Sequence, residues 1–147
     1  MQARDARAIE HEDSFIKAFI LPTRQERFLT LISNAKKRSK FTAELGHFRW
    51  FDPAFATPLK WQVDPKLPLW ERHLQGKHRI VELLKSKGAG QSCWVISNQS
   101  SKDAREVDLD KGVEDISDGC ILSCIPGQLA YFEGEEESLL LERTRKS

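Results

Sequence analysis

The chain has 147 residues, enough for one domain with a substantial hydrophobic core, and its 39% hydrophobic and 31% charged residues are typical of a soluble globular protein. No apolar run approaches the roughly 20 residues of a membrane-spanning helix, and residues 1–13 lack the apolar segment of a secretory signal, which favours a cytoplasmic protein with no membrane partner. The formal net charge of +1 excludes a strong attraction of the whole chain to nucleic acid.

Residues 1–12 are polar and mixed in charge, and we expect them to form a loose end. Asp13 or Ser14 is suited to cap a short helix, since Asp and Ser side chains accept hydrogen bonds from the first free amides of a helix. This helix should end at Pro22, because proline disfavours helical conformation in the residue before it. Its apolar residues are predicted to be buried: Phe15, Ile16, Phe19 and Ile20.

A second helix is predicted to begin at Thr23, because Thr23 and Glu26 have the spacing of a capping box. Apolar residues follow at the i, i+3, i+4 and i+7 spacing of one helical face, namely Phe28, Leu31, Ile32 and Ala35. A third helical stretch is predicted from about Ala35 to Leu45, where Gly46 is suited to the C-terminal cap.

The segment 48–68 is predicted to be an ordered loop. Residues 48–70 contain four of the six prolines and three of the four tryptophans. Proline at this density excludes a regular helix or a central strand, while the aromatic rings argue against disorder. The rings have two interpretations: they line a pocket for a ligand or partner, or they fill the core beneath the loop. The candidate pocket residues are Trp50, Phe55, Trp61 and Trp70.

A fourth helix is predicted from Leu69 to Lys87 and should stop at Gly88. Four apolar residues share one of its faces: Trp70, Leu74, Val81 and Leu84.

Strand signals follow this helix. The short apolar segment 92–97 predicts a central strand, and residues 108–116 predict a short acidic helix capped by Asp108 or Asp110. Two apolar segments joined through Pro126-Gly127 predict a hairpin, because this dipeptide favours a tight turn. Leu139 to Leu141 predict either an added edge strand or part of a loose tail, and residues 142–147 should be loose.

This order of elements predicts an α+β fold in a single domain, residues 1–147. About four N-terminal helices should pack on a small, mainly antiparallel C-terminal sheet with one short inserted helix. One of Tyr131 and Phe132 should face the core, since neighbours on a strand point in opposite directions. The other predicted core residues are Phe28, Leu31, Ile32, Phe41, Leu45, Val81, Leu84, Val95, Ile96, Ile121, Leu122, Ile125 and Leu129.

The charges divide unequally along the chain. Residues 1–90 contain 17 Lys and Arg against 10 Asp and Glu, whereas residues 91–147 contain 6 against 12. Within the basic half, one cluster lies at the start of the third helical stretch, where cations oppose the helix dipole. It consists of Lys36, Lys37, Arg38 and Lys40, and it either contacts an anion or nucleic acid or forms a solvated face.

The sequence contains no spacing typical of a catalytic or metal site, so we expect no catalytic residue, metal or cofactor. Cys93, Cys120 and Cys124 do not have a zinc-site spacing, and two cysteines four residues apart on one strand would be separated by about 13 Å. Buried structural thiols are the simpler interpretation. Residues 108–115 resemble the start of a calcium loop, but glycine falls at the wrong position for it.

Three functional hypotheses remain open. The first is a non-enzymatic binding or regulatory module that recognises a protein or a small ligand. The second is a nucleic-acid-binding protein that uses the basic helical half. The third is a small enzyme with its site at the junction of helices and sheet. A homodimer is also open, because an exposed sheet edge can pair with a second copy.

Overall fold

Helices and strands are segregated along the chain, as predicted for an α+β fold. The computed structural model describes residues 5–60, 63–135 and 137–143. Its α-helices are α1 Ala6–Ala8, α2 Ser14–Phe19, α3 Pro22–Ile32, α4 Arg38–Leu45, α5 Leu69–Ser86 and α6 Leu109–Glu114. Its strands are β1 Ala56–Pro58, β2 Ser92–Ile96, β3 Arg105–Asp108, β4 Cys120–Ile125, β5 Leu129–Glu133 and β6 Ser138–Glu142. None of the helices in these described ranges is long and apolar enough to cross a membrane.

The six strands form one sheet in the order β1-β6-β5-β4-β2-β3, and all the neighbouring pairs are antiparallel. The predicted hairpin is β4 and β5, and Gly127 in its turn has a φ of +68°, a conformation that favours glycine. The strand predicted from Leu139 to Leu141 is β6. It is not an edge strand, because β1 from the proline-rich loop pairs with its outer side. Pro58 therefore lies on an edge strand, where its missing N–H is tolerated.

Helices cover both faces of this sheet. One face carries Trp94, Ile121 and Phe132 and packs against the helices that precede residue 46. The opposite face carries Val95, Leu122 and other residues packed against α5 and α6. Tyr131 and Phe132 are consequently both fully buried, each in its own core. The expectation that only one of them faces a core was wrong, because it assumed a sheet with one covered face.

The predicted core residues are buried, apart from two. Val81 and Ile125 are half-buried and lie at the margin of the core under α5 and α6. The core between the sheet and the helices that precede residue 46 contains an aromatic cluster. In it, Phe51 contacts Phe15 and Phe132 edge-on at ring-centroid distances of 6.0 and 4.9 Å. Such edge-to-face pairs contribute beyond the area they bury.

The N-terminal segment differs from the expected loose end. A π-helical segment, Ile9–Asp13, continues α1 into α2, so residues 6–19 form one helical run. His11 and Glu12 in this run are buried. Pro22 stands at the first position of α3, where its missing N–H is not needed, and Leu21 takes the N-cap position predicted for Thr23. Residues 142–147 were also expected to be loose, but Glu142 belongs to β6.

The segment 48–60 follows the surface in short turns and is held by its backbone. Phe51 forms a bridge with Ile20, and the Asp52 amide donates to the Phe19 carbonyl at 2.7 Å. The Leu59 amide donates to the Ser138 carbonyl at 2.9 Å. These bonds attach the segment to α2 and to β6. They therefore satisfy backbone groups that proline-rich sequence would otherwise leave without partners.

Gly112 allows α6 to approach the sheet. A Cβ at this position would lie 2.9 Å from the Cys93 sulfur and 3.2 Å from a Val107 methyl group. We expect Gly112→Ala to lower the free energy of unfolding by about 1–3 kcal/mol, because buried neighbours must move. Urea denaturation followed by circular dichroism measures this change.

Gly76→Ala is the matched control, since Gly76 lies within α5 and a Cβ there meets no atom within 4 Å. This substitution should raise stability by about 0.5–1 kcal/mol through helix propensity. If both substitutions stabilised the chain, the close approach of α6 to the sheet would be contradicted.

Candidate functional site

The predicted basic cluster is divided by the fold. Lys36, Lys37 and Lys40 are exposed, whereas Arg38 is only 23% exposed and points inward. Its guanidinium donates to both oxygens of Glu12 at 2.6 and 2.9 Å and to both oxygens of Asp103 at 2.7 and 2.9 Å. Arg38 is therefore paired with two carboxylates of its own chain, and this guanidinium does not form part of an exposed anion-binding surface.

The Glu12–Arg38–Asp103 triad is extended by further donors. Glu12 is fully buried and also accepts a hydrogen bond from the Trp94 indole at 2.8 Å. Asp103 accepts one from the Ser97 amide at 3.0 Å. Burial acts to lower the pKa of Arg38, but the hydrogen bonds from Asp103 and Glu12 outweigh it and raise that pKa above its usual value. The guanidinium is charged at every accessible pH.

Of the predicted pocket residues that the structure describes, Trp50 and Phe55 pack on one face of the sheet and Trp70 lies apart from them. Trp50 and Phe55 are half-buried against the core under α1 to α4. Arg24 and Arg49 lie over the Trp50 ring at 4.3 and 4.7 Å, and Arg143 lies over Phe55 at 4.1 Å. These rings are therefore contacted by cations of this chain. The Trp50 indole N–H is buried and has no acceptor among the described residues. Trp61 lies outside the described residues.

Trp70 lies elsewhere, on the helix that covers the opposite face of the sheet. Trp70 is 65% exposed, and its neighbours Leu69 and Leu74 are 63% and 45% exposed. Only the C-terminal half of α5 contributes buried residues, namely Ile80 and Leu84. The apolar face predicted for the whole helix thus packs against the sheet at one end and lies open at the other.

A shallow groove of about 520 Å³ runs along this open part of α5. Leu67, Trp70 and Leu74 supply its apolar surface. Charged groups of both signs, Glu71, Arg79 and Glu82, flank it together with His78. The spacing of three or four residues places this set on one helical face over about 18 Å from Trp70 to Glu82. An exposed apolar patch with a polar rim is typical of a protein-interaction site.

A smaller cavity of about 190 Å³ lies between α6 and strands β2, β3 and β4. Its floor is apolar, and three cationic side chains stand at its margin, Lys102, Arg105 and Lys111. Sequence reasoning missed this cavity. The strand that carries Arg105 is short and charged, without the apolar alternation that predicts a strand.

A third, polar cavity of about 330 Å³ is lined by Arg7, His11, Cys93, Glu106 and Cys124, among others. The two thiols are buried, and burial raises the pKa of Cys93 well above its usual value and that of Cys124 to about 12. The thiolate that a nucleophile requires is therefore strongly disfavoured. In the part of the chain that the structure describes, no three His, Cys, Asp or Glu side chains are grouped as a metal site requires.

His11 is the buried histidine of this cavity. Its ring is stacked near Trp94, and its Nδ1 lies 2.8 Å from the Ser123 hydroxyl oxygen. Burial, the largest effect, lowers the pKa of His11 below 6.5, although Glu10, Glu106 and Glu12 act to raise it. The neutral imidazole is thus the form that suits the folded chain.

No protein-family model, no curated protein and no solved structure matches this chain. The hypothesis of nucleic-acid binding by the basic half stays a prediction that now depends on Lys36, Lys37 and Lys40.

Arg38→Gln tests whether the triad is structural. It would leave Glu12 as a buried, poorly compensated charge, so we expect the free energy of unfolding to fall by about 3–5 kcal/mol. Lys37→Gln, one residue away and exposed, should change it by no more than about 0.5 kcal/mol. Urea denaturation measures both, and equal effects of the two changes would contradict a special role for Arg38.

His11 should make the protein less stable in acid. The pKa of His11 is lower in the folded chain, so between the two pKa values the unfolded chain binds more protons. The contribution of His11 to the free energy of unfolding is therefore complete above pH 6.5. It is lost as the pH falls through that value toward the folded pKa. We expect His11→Gln to show a smaller loss of unfolding free energy between about pH 7 and about pH 5 than the unmodified chain.

The exposed His78 provides the control for this experiment. His78→Gln should keep the pH dependence of the unmodified chain. An undiminished loss in His11→Gln would show that other groups cause the acid sensitivity.

Proposed function

We propose that this protein is a non-enzymatic binding module that docks a helix of another protein on the open face of α5. The observation that carries the proposal is the 65% exposure of Trp70 next to Leu69 and Leu74. Trp is the residue type most often found to dominate binding energy at protein interfaces. Trp70 is exposed at one end of α5, whereas Ile80 and Leu84 are buried toward the other end. A bound partner would remove the Trp70 side chain from water.

The shape of the groove supports a helical occupant. Trp70 and Leu74 lie four residues apart on one ridge of α5, and Leu67 from the segment before the helix extends the apolar surface. Packing of one helix on another places such ridges into complementary grooves. An amphipathic partner helix would present apolar residues at i, i+3 or i+4, and i+7. Over about 18 Å it would contact α5 for roughly three turns.

The flanking charges define the chemistry of that helix further. Along α5, Arg79 lies between Glu71 and Glu82, so charges of both signs flank the groove. A partner with charges of both signs beside its apolar stripe complements this pattern, whereas a strongly acidic or strongly basic partner would meet like charges. Lys36, Lys37 and Lys40 belong to a separate surface and take no part in this docking.

Photocrosslinking tests the proposal on the intact chain in cells. A photoreactive phenylalanine analogue in place of Leu74 should yield a discrete crosslinked protein, because the side chain lies in the groove. The same analogue in place of Lys85, which is exposed on the same helix outside the groove, is the control. No product at position 74 beyond that found at position 85 would overturn the proposal.

The crosslinked protein is then purified and its affinity measured by calorimetry. Trp70→Ala should weaken binding by at least about 30-fold, the effect of losing about 2 kcal/mol at a central aromatic residue. Lys85→Ala should leave the affinity unchanged. Equal affinities for the Trp70→Ala and unmodified chains would contradict the proposal, as would a product of twice the chain's own mass, which would identify a second copy as the occupant.

A further inference from the structure

The cavity beside α6 combines an apolar floor with a cationic margin. Val95, Val107 and Leu122 from three neighbouring strands contribute to the floor. Ile116, two residues beyond the end of α6, also lines the cavity. Gly112 on α6 lines the same cavity, where a larger residue would push the helix away from the sheet. The volume of about 190 Å³ corresponds to about six water molecules. It therefore suits a ligand smaller than the drug-sized molecules that larger pockets hold.

Arg105 stands at a position of the sheet that faces this cavity. It is the cross-strand partner of Val95 in the β2–β3 ladder, and directly opposed residues of an antiparallel pair project to the same face. Glu106, the next residue, projects to the other face and pairs there with Arg7. On this strand, Val107 packs against the core, and Arg105 does not. Packing of the core therefore does not explain a cation beside the apolar floor.

The other two cations differ in what they contact. Lys102 donates to the Asp115 backbone carbonyl at 2.6 Å and so is bound to the end of α6. Arg105 and Lys111 form no ion pair with a described acid. Asp115 also lines the cavity, and its negative charge would repel an anion at that end. The site for a negative charge is therefore the part of the margin between Arg105 and Lys111.

We propose that this cavity binds a small amphiphilic anion, a monocarboxylate with a short aliphatic chain or a single aromatic ring. The apolar part would lie on Val95, Val107 and Leu122, and the carboxylate would face Arg105 and Lys111. Arg suits this role because its planar guanidinium donates two parallel hydrogen bonds to a carboxylate. This ligand site is separate from the groove on α5, so either can be present without the other.

Benzoate is the probe, titrated into the isotopically labelled full-length chain and followed by ¹H–¹⁵N correlation spectra. We expect shifts of the Val95, Val107 and Ile116 amides, with a Kd on the order of 1 mM for a ligand of this size. Benzyl alcohol and benzylamine, which are neutral and cationic molecules of similar shape, should bind at least about fivefold more weakly because they lack the carboxylate. Ionic strength is held constant throughout.

Two variants locate the charge. Arg105→Gln and Lys111→Gln should each weaken benzoate binding, the former by about tenfold, because a charged hydrogen-bond donor is lost. Lys40→Gln, an exposed cation on α4, should leave the Kd unchanged. The same spectra show directly whether each variant is folded.

Three outcomes would overturn the proposal. The first is equal binding of all three probes, which would indicate an apolar cavity without charge recognition. The second is shifts confined to residues outside the cavity. The third is unchanged benzoate affinity in folded Arg105→Gln, which would make Arg105 a solvated charge that only protects the sheet edge.

Discussion

The buried ion pairs of Arg38 join three parts of the chain that are distant in sequence. Glu12 comes from the N-terminal helical run, Arg38 from the start of α4, and Asp103 from the loop between β2 and β3. A fully buried carboxylate is costly unless its oxygens are paired and hydrogen-bonded, and here Arg38 and Trp94 satisfy them. The arrangement of the first helices on the sheet depends on this constraint, since moving any one segment would leave a buried charge without its partner.

Ion pairs also connect the basic and the acidic parts of the chain. Several cations of the first 90 residues pair with acids of the last 57, including Arg7 with Glu106 and Lys87 with Glu142. The basic and acidic halves therefore complement each other within one molecule. Exposed pairs of this kind contribute little stability individually, and they account for only part of the positive charge of residues 1–90.

Both candidate binding surfaces result from covering the sheet on two sides. The second layer consists of a long α5 and a short α6, and it is less complete than the layer of N-terminal helices. α5 buries only its C-terminal half, so Trp70 and Leu74 stay in contact with solvent. α6 leaves a cavity toward the edge strand β3. Incomplete coverage of an otherwise packed sheet thus positions an apolar groove and an amphiphilic cavity on the same side of the molecule.

The sequence by itself determined the α+β class, most helices, the β4–β5 hairpin and most of the core, because these depend on local periodicity, turn residues and capping. It named Trp70 and Arg38 as candidates without indicating that one would be exposed and the other bound within the fold. Only the tertiary structure decided that both sheet faces are covered, that residues 6–12 are helical, and that Arg105 faces a cavity. These features depend on contacts between residues far apart in the chain, such as Arg38 with Asp103, which no local pattern encodes.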